Sequence, residues 1–375
     1  MDDQTRGEAA SKDLTTALTE QMRAAAAAGR PLVLRGAGTK SLLGRPVTDS
    51  AEPLDLAGHS GIINYQPKEL VITARCGTTL DAIDSVLAEH GQQIPFEPPR
   101  LGSKDRPGAT LGGTIACGLS GPARPFAGAA RDLVLGARVL TGRAEVLRFG
   151  GEVMKNVAGY DCSRLMVGAF GTLGVLLDIS FKVLPIPPFS RTLMQACDQV
   201  TALERMNRWA ARPLPVTATC WTDAGDGGRL WVRLAGAEQG VRAAQSVIGG
   251  EPLADEDAAA FWTESIREQQ HGFFGGDLAL WRIALPQATA PLDLPGPQLL
   301  EWVGAQRWLR SAAEPTAIRA VVTRAGGHAT LFRGGERMGA VLHPLGAPLM
   351  ALHRHLKHAF DPQGILNPGR LYQDF

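Results

Sequence analysis

ATLGGTIACG, Ala109 to Gly118, and FGGEVMKNVAGYDCSRLMVGAFGTLGVLLDISFKVLP, Phe149 to Pro185, are the runs whose reading decides the fold of this chain. A polar, Arg-rich interval and a strand-like VLGARVLTG lie between them. Glycine tolerates φ > 0 and lets backbone come close to a ligand. Glycines repeated among β-branched and apolar residues therefore predict strands joined by ligand-contacting turns. The stretch reads as a cradle for a nucleotide or a flavin.

Upstream, good helix formers from Ser11 to Gly29 predict a helix capped at Ser11 or Asp13 and stopped at Gly29. The apolar run Pro31 to Arg35 then feeds directly into Gly36-Ala37-Gly38-Thr39-Lys40. A strand entering Gly-x-Gly gathers several backbone N–H groups around one concavity, which suits a pyrophosphate. Arg35, Thr39 and Lys40 add donors and charge. Taken alone, the motif is equally a tight turn before SLLGRP. It is neither a Walker A loop, lacking the Gly-Lys-Ser/Thr ending, nor a complete GxGxxG. Strands are predicted at Leu54 to Leu56, in GIINYQP and from Glu69 to Arg75. An amphipathic helix from Thr79 to His90 follows, with Leu80, Ile83, Val86 and Leu87 on one face and Asp81, Asp84 and Glu89 in solvent.

At 375 residues the chain can hold two domains, and 45% apolar with 20% charged residues is a soluble, ordered composition. A net charge of +1 argues against nucleic acid as partner, because phosphate neutralisation needs a basic surplus. The five cysteines, at 76, 117, 162, 197 and 220, show no CxxC spacing, so the sequence encodes no iron–sulfur or zinc-ribbon set. Reduced thiols and a cytoplasmic location are the default expectation. The opening MDDQTRGEAASKDLTT reads as no secretory signal, and no apolar run has the length of a membrane span.

Pro185-Ile-Pro-Pro188 reads as a boundary. Beyond it, strands are expected at TLMQAC, VTATCWTD, GRLWVRLAG and LALWRIALP, and helices at VTALERMNRWAAR and AEQGVRAAQSVIGG. PQLLEWVGAQRWLRS reads as mixed strand and helix, and AIRAVVTRAGGHATLFR as a strand pair. This roughly repeated βαβ-like order predicts a ferredoxin-like cap with an antiparallel sheet. The seven tryptophans all lie in this half and read mostly as core. His343, His353, His355 and His358 lie near ALHRHLKHAFDP, an amphipathic helix with a solvated basic face.

Five runs in order, RGAGTK (35–40), ATLGGTIACG (109–118), KNVAGYD (155–161), GAFGTLGVL (168–176) and FDPQGILNPGR (360–370), resemble the FAD-linked oxidases of the vanillyl-alcohol oxidase, or PCMH-type, superfamily. Among these, Val153 to Asp161, VMKNVAGYD, resembles the FAD-binding subunits of glycolate oxidase. The resemblance implies an α+β fold: a two-subdomain FAD-binding domain over 1–188, a smaller ferredoxin-like α+β cap over 189–340, and a segment over 341–375 that returns to the flavin. Implied FAD contacts are Arg35, Gly36, Ala37, Gly38, Thr39 and Lys40 at the pyrophosphate. Thr110, Gly112, Gly113 and Thr114 are implied along the ribityl and diphosphate, and Gly171, Gly174 and Val175 at the adenosine. Asn367 is implied near the isoalloxazine. Covalent members usually carry a His in the loop where this chain has Thr39 and Lys40, so non-covalent FAD is expected, and Cys117 reads as a small buried thiol.

Related D-2-hydroxyacid dehydrogenases carry a His and Glu metal set in the cap. The corresponding turn here, Ala325 to Thr330, keeps only His328, so no metal is expected. The resemblance thus implies an FAD-dependent oxidoreductase subunit that supports oxidation of glycolate or a similar 2-hydroxy acid. Its implied partners are a catalytic FAD subunit and an iron–sulfur subunit, and any membrane association is peripheral, through them. The alternatives are a self-sufficient oxidoreductase, with Arg282, Arg324, His328 and Arg333 around a carboxylate, or a structural flavin-binding subunit without turnover. No catalytic residue is singled out.

Overall fold

The computed structural model describes residues 11–102, 108–151, 161–223 and 227–375. A helix, Thr15–Ala28, packs Leu18 and Met22 on Leu32, Leu54, Leu177 and Leu366, joining the first strand, a central strand and the distant 365–367 segment in one core. Gly29 closes this helix at φ 62°. Its start differs from expectation: Leu14 holds the cap position with no side-chain bond, while Asp13 accepts from the Thr15 N–H at 2.8 Å.

Leu32–Arg35 and Glu52–Asp55 form a two-stranded parallel sheet. A five-stranded antiparallel sheet stands beside it, with the order Ile62–Gln66, Val71–Arg75, Val175–Lys182, Val134–Leu140, Val146–Gly150. The helix Leu80–Ala88, capped by Thr79 accepting from the Ala82 N–H, buries Leu80, Ile83 and Leu87 against Ile72, Phe96, Ile115 and Phe181. Its polar face is not simply solvated, because Arg100 pairs with both Asp81 and Asp84. Burial raises the Asp84 carboxyl to about 6 against the pull of Arg267.

Two sequence expectations reverse. Leu111–Cys117 is a helix, capped by Thr110 accepting from the Gly113 N–H and ended by Gly118 at φ 61°. Its glycines serve close packing, since a Cβ at Gly112 would stand 2.7 Å from Cys76 Cβ. The β-branched run beginning at Pro315 is also a helix, Pro315–Arg324, with Ile318 and Val322 buried one turn apart. Proline is favourable at the first helical position, and that start outweighs the β propensity of the run. Gly326, at φ 75°, then turns the chain into the strand His328–Arg333.

From Phe189 onward one eight-stranded antiparallel sheet takes over. Its first four strands are Phe189–Ala196, Val216–Thr222, Arg229–Gly236 and Glu251–Pro252, with helices Gln199–Ala210 and Glu238–Ile248 as the two crossovers. In space they run fourth, first, third, second, the ferredoxin-like order. The last four are Ala279–Ala284, Gln298–Glu301, Gln306–Ser311 and His328–Arg333, and they repeat that order in mirror sequence along the sheet. The repeat keeps only the second crossover helix, Pro315–Arg324; the first is replaced by 285–297, where no helix forms. The halves meet where Cys220, Trp221 and Thr222 pair with Glu301, Leu300 and Leu299. The ferredoxin-like cap expected from the sequence is therefore two such units fused edge to edge.

Candidate functional site

Both edges of the strand Leu32–Arg35 find partners. Glu52–Asp55 pairs on one side, and on the other the Leu32 N–H donates to Ile365 O at 2.7 Å while Leu32 O accepts from the Asn367 N–H at 2.9 Å. Beyond Arg35 the chain leaves the sheet. Among the described residues none of the N–H groups from Gly36 to Lys40 donates a hydrogen bond. The turn is pressed onto the Thr110 side chain, where a Cβ at Gly36 would come within 2.3 Å of Oγ1. Gly38, at φ 74°, needs its missing side chain to turn.

These free donors face a cavity of about 830 Å³. Of the residues expected at the cofactor, Arg35, Gly36, Ala37, Gly38, Thr39, Lys40, Thr110, Gly112, Gly113, Gly171, Gly174 and Asn367 all line it. Thr114 and Val175 do not; both are fully buried behind the wall, Val175 in the core under the first helix. Gly174 is tight because strand Val134–Leu140 runs beneath it, placing Val139 Cγ1 2.4 Å from any Cβ there. The KNVAGYD run lies outside the described residues except Asp161, which accepts from the Arg164 N–H.

Asn367 does not point its amide into the cavity. Its Oδ1 accepts from the Leu34 N–H at 2.9 Å and its Nδ2 donates to Phe170 O at 2.7 Å, so it clamps the first strand to the Gly171 turn. Asn367 is held in turn from the helix Ala347–Phe360. There Lys357 is buried rather than solvated, with Nζ 2.7 Å from Asp361 Oδ2 and donating to Thr172 O and Leu366 O at 2.8 Å each. Burial lowers the Lys357 ammonium below its ordinary value and Asp361 opposes the shift.

Lys40 is 6% exposed, its Nζ 3.3 Å from Arg100 O and 3.5 Å from Thr39 Oγ1. Burial lowers its pKa to about 8; Cys117 and Glu268 oppose that shift and Arg100 adds to it. Cys117 lines the cavity, half-buried, with its thiol pushed up by burial. Sequence reading missed Arg370 and the stretch Pro46 to Asp49, which also line it. Arg370 stood within the quoted LNPGR, and its guanidinium donates to Ser41 O and Arg45 O at 2.9 and 3.0 Å. Nothing in PVTD signals a cavity wall.

The eight-stranded sheet closes over this region through an apolar cluster that joins Leu43 and Leu119 to Leu280, Leu299 and Trp308, and through polar contacts. Glu97 Oε1 meets Arg233 Nη2 at 2.7 Å, and the Glu268 carboxylate accepts from the Arg100 and Leu101 N–H groups at 3.0 Å. Trp302 Nε1 donates to Gly121 O at 2.9 Å. A smaller cavity of about 220 Å³ opens between the two layers. Arg282 and His328 line it, whereas Arg333 bonds Gln269 Oε1 at 2.5 Å and Arg324 is exposed, both outside it. No group of three or more His, Cys, Asp or Glu among the described residues is placed to hold a metal ion.

Unbonded N–H groups in a turn, glycines among the lining residues and a cavity of about 830 Å³ fit a cofactor that carries a pyrophosphate. Residues 15–150 match the family model described as FAD binding domain, and 335–371 match FAD linked oxidases, C-terminal domain. Glycolate oxidase subunit GlcE of Escherichia coli K12 is 48% identical over 96% of this chain and 98% of its own. Glycolate oxidase subunit GlcD of Bacillus subtilis is 31% identical over 50% of this chain and 39% of its own. A solved alkyldihydroxyacetonephosphate synthase superposes with a TM-score of 0.65 over 94% of this chain and 75% of that one; at 13% identity the likeness shows the fold alone. The 48% identity to GlcE along almost the full length of both chains means that this protein belongs to the GlcE family of glycolate oxidase subunits, within the FAD-linked oxidases.

Proposed function

We propose that this chain is the FAD-binding subunit of a glycolate-oxidising complex, with the flavin nucleotide held non-covalently in the 830 Å³ cavity. The observation that carries this reading is the run of unbonded N–H groups from Gly36 to Lys40 facing that space. Backbone donors neutralise a pyrophosphate without a large basic surplus, in keeping with a net charge of +1. Arg35, Thr39 and Lys40 add side-chain donors. Thr110, Gly112 and Gly113 offer bare backbone along the diphosphate and ribityl, and Gly171 and Gly174 do so toward the adenosine. Thr114 and Val175 support this wall from behind, and Asn367 fixes its two halves to each other.

When bound, FAD would supply an electron-exchanging group, while the oxidation of the hydroxy acid takes place mainly in a catalytic flavoprotein partner. The protein's part is to hold it in place, keep water from it and contribute the charge of Lys40. The partners of this reading are that catalytic FAD subunit and an iron–sulfur subunit that would pass electrons onward, because the cysteines of this chain have no cluster spacing. A cytoplasmic location, with any membrane attachment made through those partners, accompanies this reading; no helix among the described residues is long and apolar enough to cross a membrane.

The test is the visible spectrum of the purified chain, cofactor release by acid, and anaerobic addition of glycolate. Acid-released FAD whose colour glycolate leaves unchanged is the expected result. Rapid bleaching by glycolate would move catalysis into this chain alone, and failure to take up FAD even on reconstitution would end the reading.

A further inference from the structure

The helix Ala347–Phe360 is as long as the first helix, Thr15–Ala28, yet where that helix buries Leu18, Met22 and Ala25, this one buries only Lys357. Helices in proteins draw most of their stability from packing an apolar face. At about 100° per residue, Leu349, Leu352, Leu356 and Ala359, at intervals of three, four and three residues, share one flank beside the face that holds Lys357. On that flank Leu349 is 46% and Leu352 53% exposed. The end of the chain covers a different side: His353 packs on the Tyr372 and Phe375 rings, and Arg354 meets Asp374 at 3.2 Å.

The leucine flank is the outward end of a core. Leu356 and Phe360 pack against the core of the five-stranded sheet, and the Phe360 ring stands edge-on to Phe149 with centroids 6.0 Å apart. Phe149 and Leu147 pair with Ala137 and Val139, on the side of the sheet where those two are buried in that core. At the rim Leu147 is 37% exposed. Leu147, Phe149, Phe360, Leu356, Leu352 and Leu349 therefore make one apolar band that starts in the core and runs out along the helix into solvent. Single exposed apolar side chains need no explanation, whereas a contiguous band marks an interface.

The border of the band favours anions. The helix carries Arg354, His355, Lys357 and His358 and no carboxylate. Lys357 is paired with Asp361 and Arg354 with Asp374, which leaves His355 and His358 exposed along the helix. Arg143 is exposed at its C-terminal end, where the neighbouring Gly142 N–H donates to Phe360 O at 3.0 Å. Against these stands Glu145, exposed in the same turn. A second copy of this chain would set one carboxylate-free helix against another, so charge selects a different, acidic occupant.

We propose that this band docks an amphipathic helix of a partner subunit, one whose apolar stripe is bordered by Asp and Glu. The alternating three- and four-residue spacing of the leucines is the pattern by which two helices interlock side chains along a shared seam. The assignment rests on the reading of this chain as one subunit of a glycolate-oxidising complex, and it names the surface and the chemistry by which the chain is held there. None of the six band residues lines the 830 Å³ cavity, so the surface can be altered without touching the cofactor site.

The test is assembly of the full flavin-loaded chain with a co-expressed catalytic FAD subunit and iron–sulfur subunit, followed by mass photometry over a dilution series. Leu349→Glu with Leu352→Glu should weaken association roughly tenfold or more, and Arg143→Glu and added salt should each weaken it further. Val247→Glu, at an exposed position on the cap helix Glu238–Ile248, should not. Light-driven crosslinking from a photoreactive phenylalanine analogue in place of Leu352 should reach a partner segment with apolar residues three and four apart beside Asp or Glu, and this readout does not depend on the folding of the charged variants. Wild-type affinity in the double variant overturns the proposal. So do crosslinks into a second copy of this chain or into a segment without carboxylates, and association indifferent to both salt and Arg143→Glu. Failure of the wild-type chain to assemble with either subunit overturns the complex and this surface with it, while acid-released FAD reports separately on the cofactor.

Discussion

Lys40 carries its charge under tension. In the folded chain burial brings its ammonium from 10.5 down to about 8, whereas a pyrophosphate beside it favours the cation. Above pH 8 the free protein has lost that proton and must take it up again to bind the cofactor, so FAD affinity should fall as pH rises through about 8. Flavin fluorescence quenching on the apoprotein across that range measures the effect. Lys40→Met should give weaker, pH-independent binding; a wild-type affinity flat through this range would place Lys40 away from the phosphates. The residue itself was legible in RGAGTK. Its burial was not, because the Arg100 carbonyl and Glu268 that surround it come from far along the chain.

Among elements, the segment after Phe360 shows how local reading and long-range structure part company. ILNPG drew attention to Asn367 as a flavin contact, whereas its side chain bonds Leu34, 333 positions away, and no periodicity reports a hydrogen bond across that distance. The strand entering Gly36 was legible because strand, glycine and turn are all local; the helix Leu111–Cys117 was not, because its adjacent glycines read as a turn until Cys76 beneath them is seen. Lys357 and Asp361 hold the segment in place. Asp361→Ala should leave a buried ammonium without its partner, costing about 3–5 kcal/mol. Denaturant unfolding should show that loss together with weaker FAD retention, and adding Lys357→Met should restore much of the stability. A double variant no more stable than Asp361→Ala would mean that the backbone bonds accepted by Asp361, not the buried charge, dominate.

At the scale of the whole molecule, the two lobes meet through polar contacts and through an apolar cluster that joins Leu43 and Leu119 to Phe261, Trp262 and Trp308, and the buried Glu301 behind Arg282 makes global stability depend on pH. Its carboxyl is raised from 4.5 to about 7, so between those values the folded protein holds a proton that the unfolded chain releases. Stability therefore decreases as pH rises through that window, by up to roughly 3 kcal/mol at 1.4 kcal/mol per unit. Glu301→Gln should flatten this trend in melting curves collected from acid to neutral pH; a slope equal to that of wild type would assign the dependence elsewhere. The repeated strand order of the cap was legible as a succession of elements. The arginine-lined cavity was legible only in part, through Arg282 and His328, because Arg124 and Arg131 reach it from the other lobe.

The clamp at Asn367 also sets an order of events during synthesis. Leu32 and Leu34 leave the ribosome long before the residues that complete their far edge, which are translated some 333 positions later. At about 5–20 residues per second, the first strand waits roughly 20–70 s for that edge. Until then the wall formed by the first strand and the Gly171 turn is unfastened, so on the proposed placement of the flavin its acquisition is a late step in the life of the nascent chain, after translation has passed Asn367.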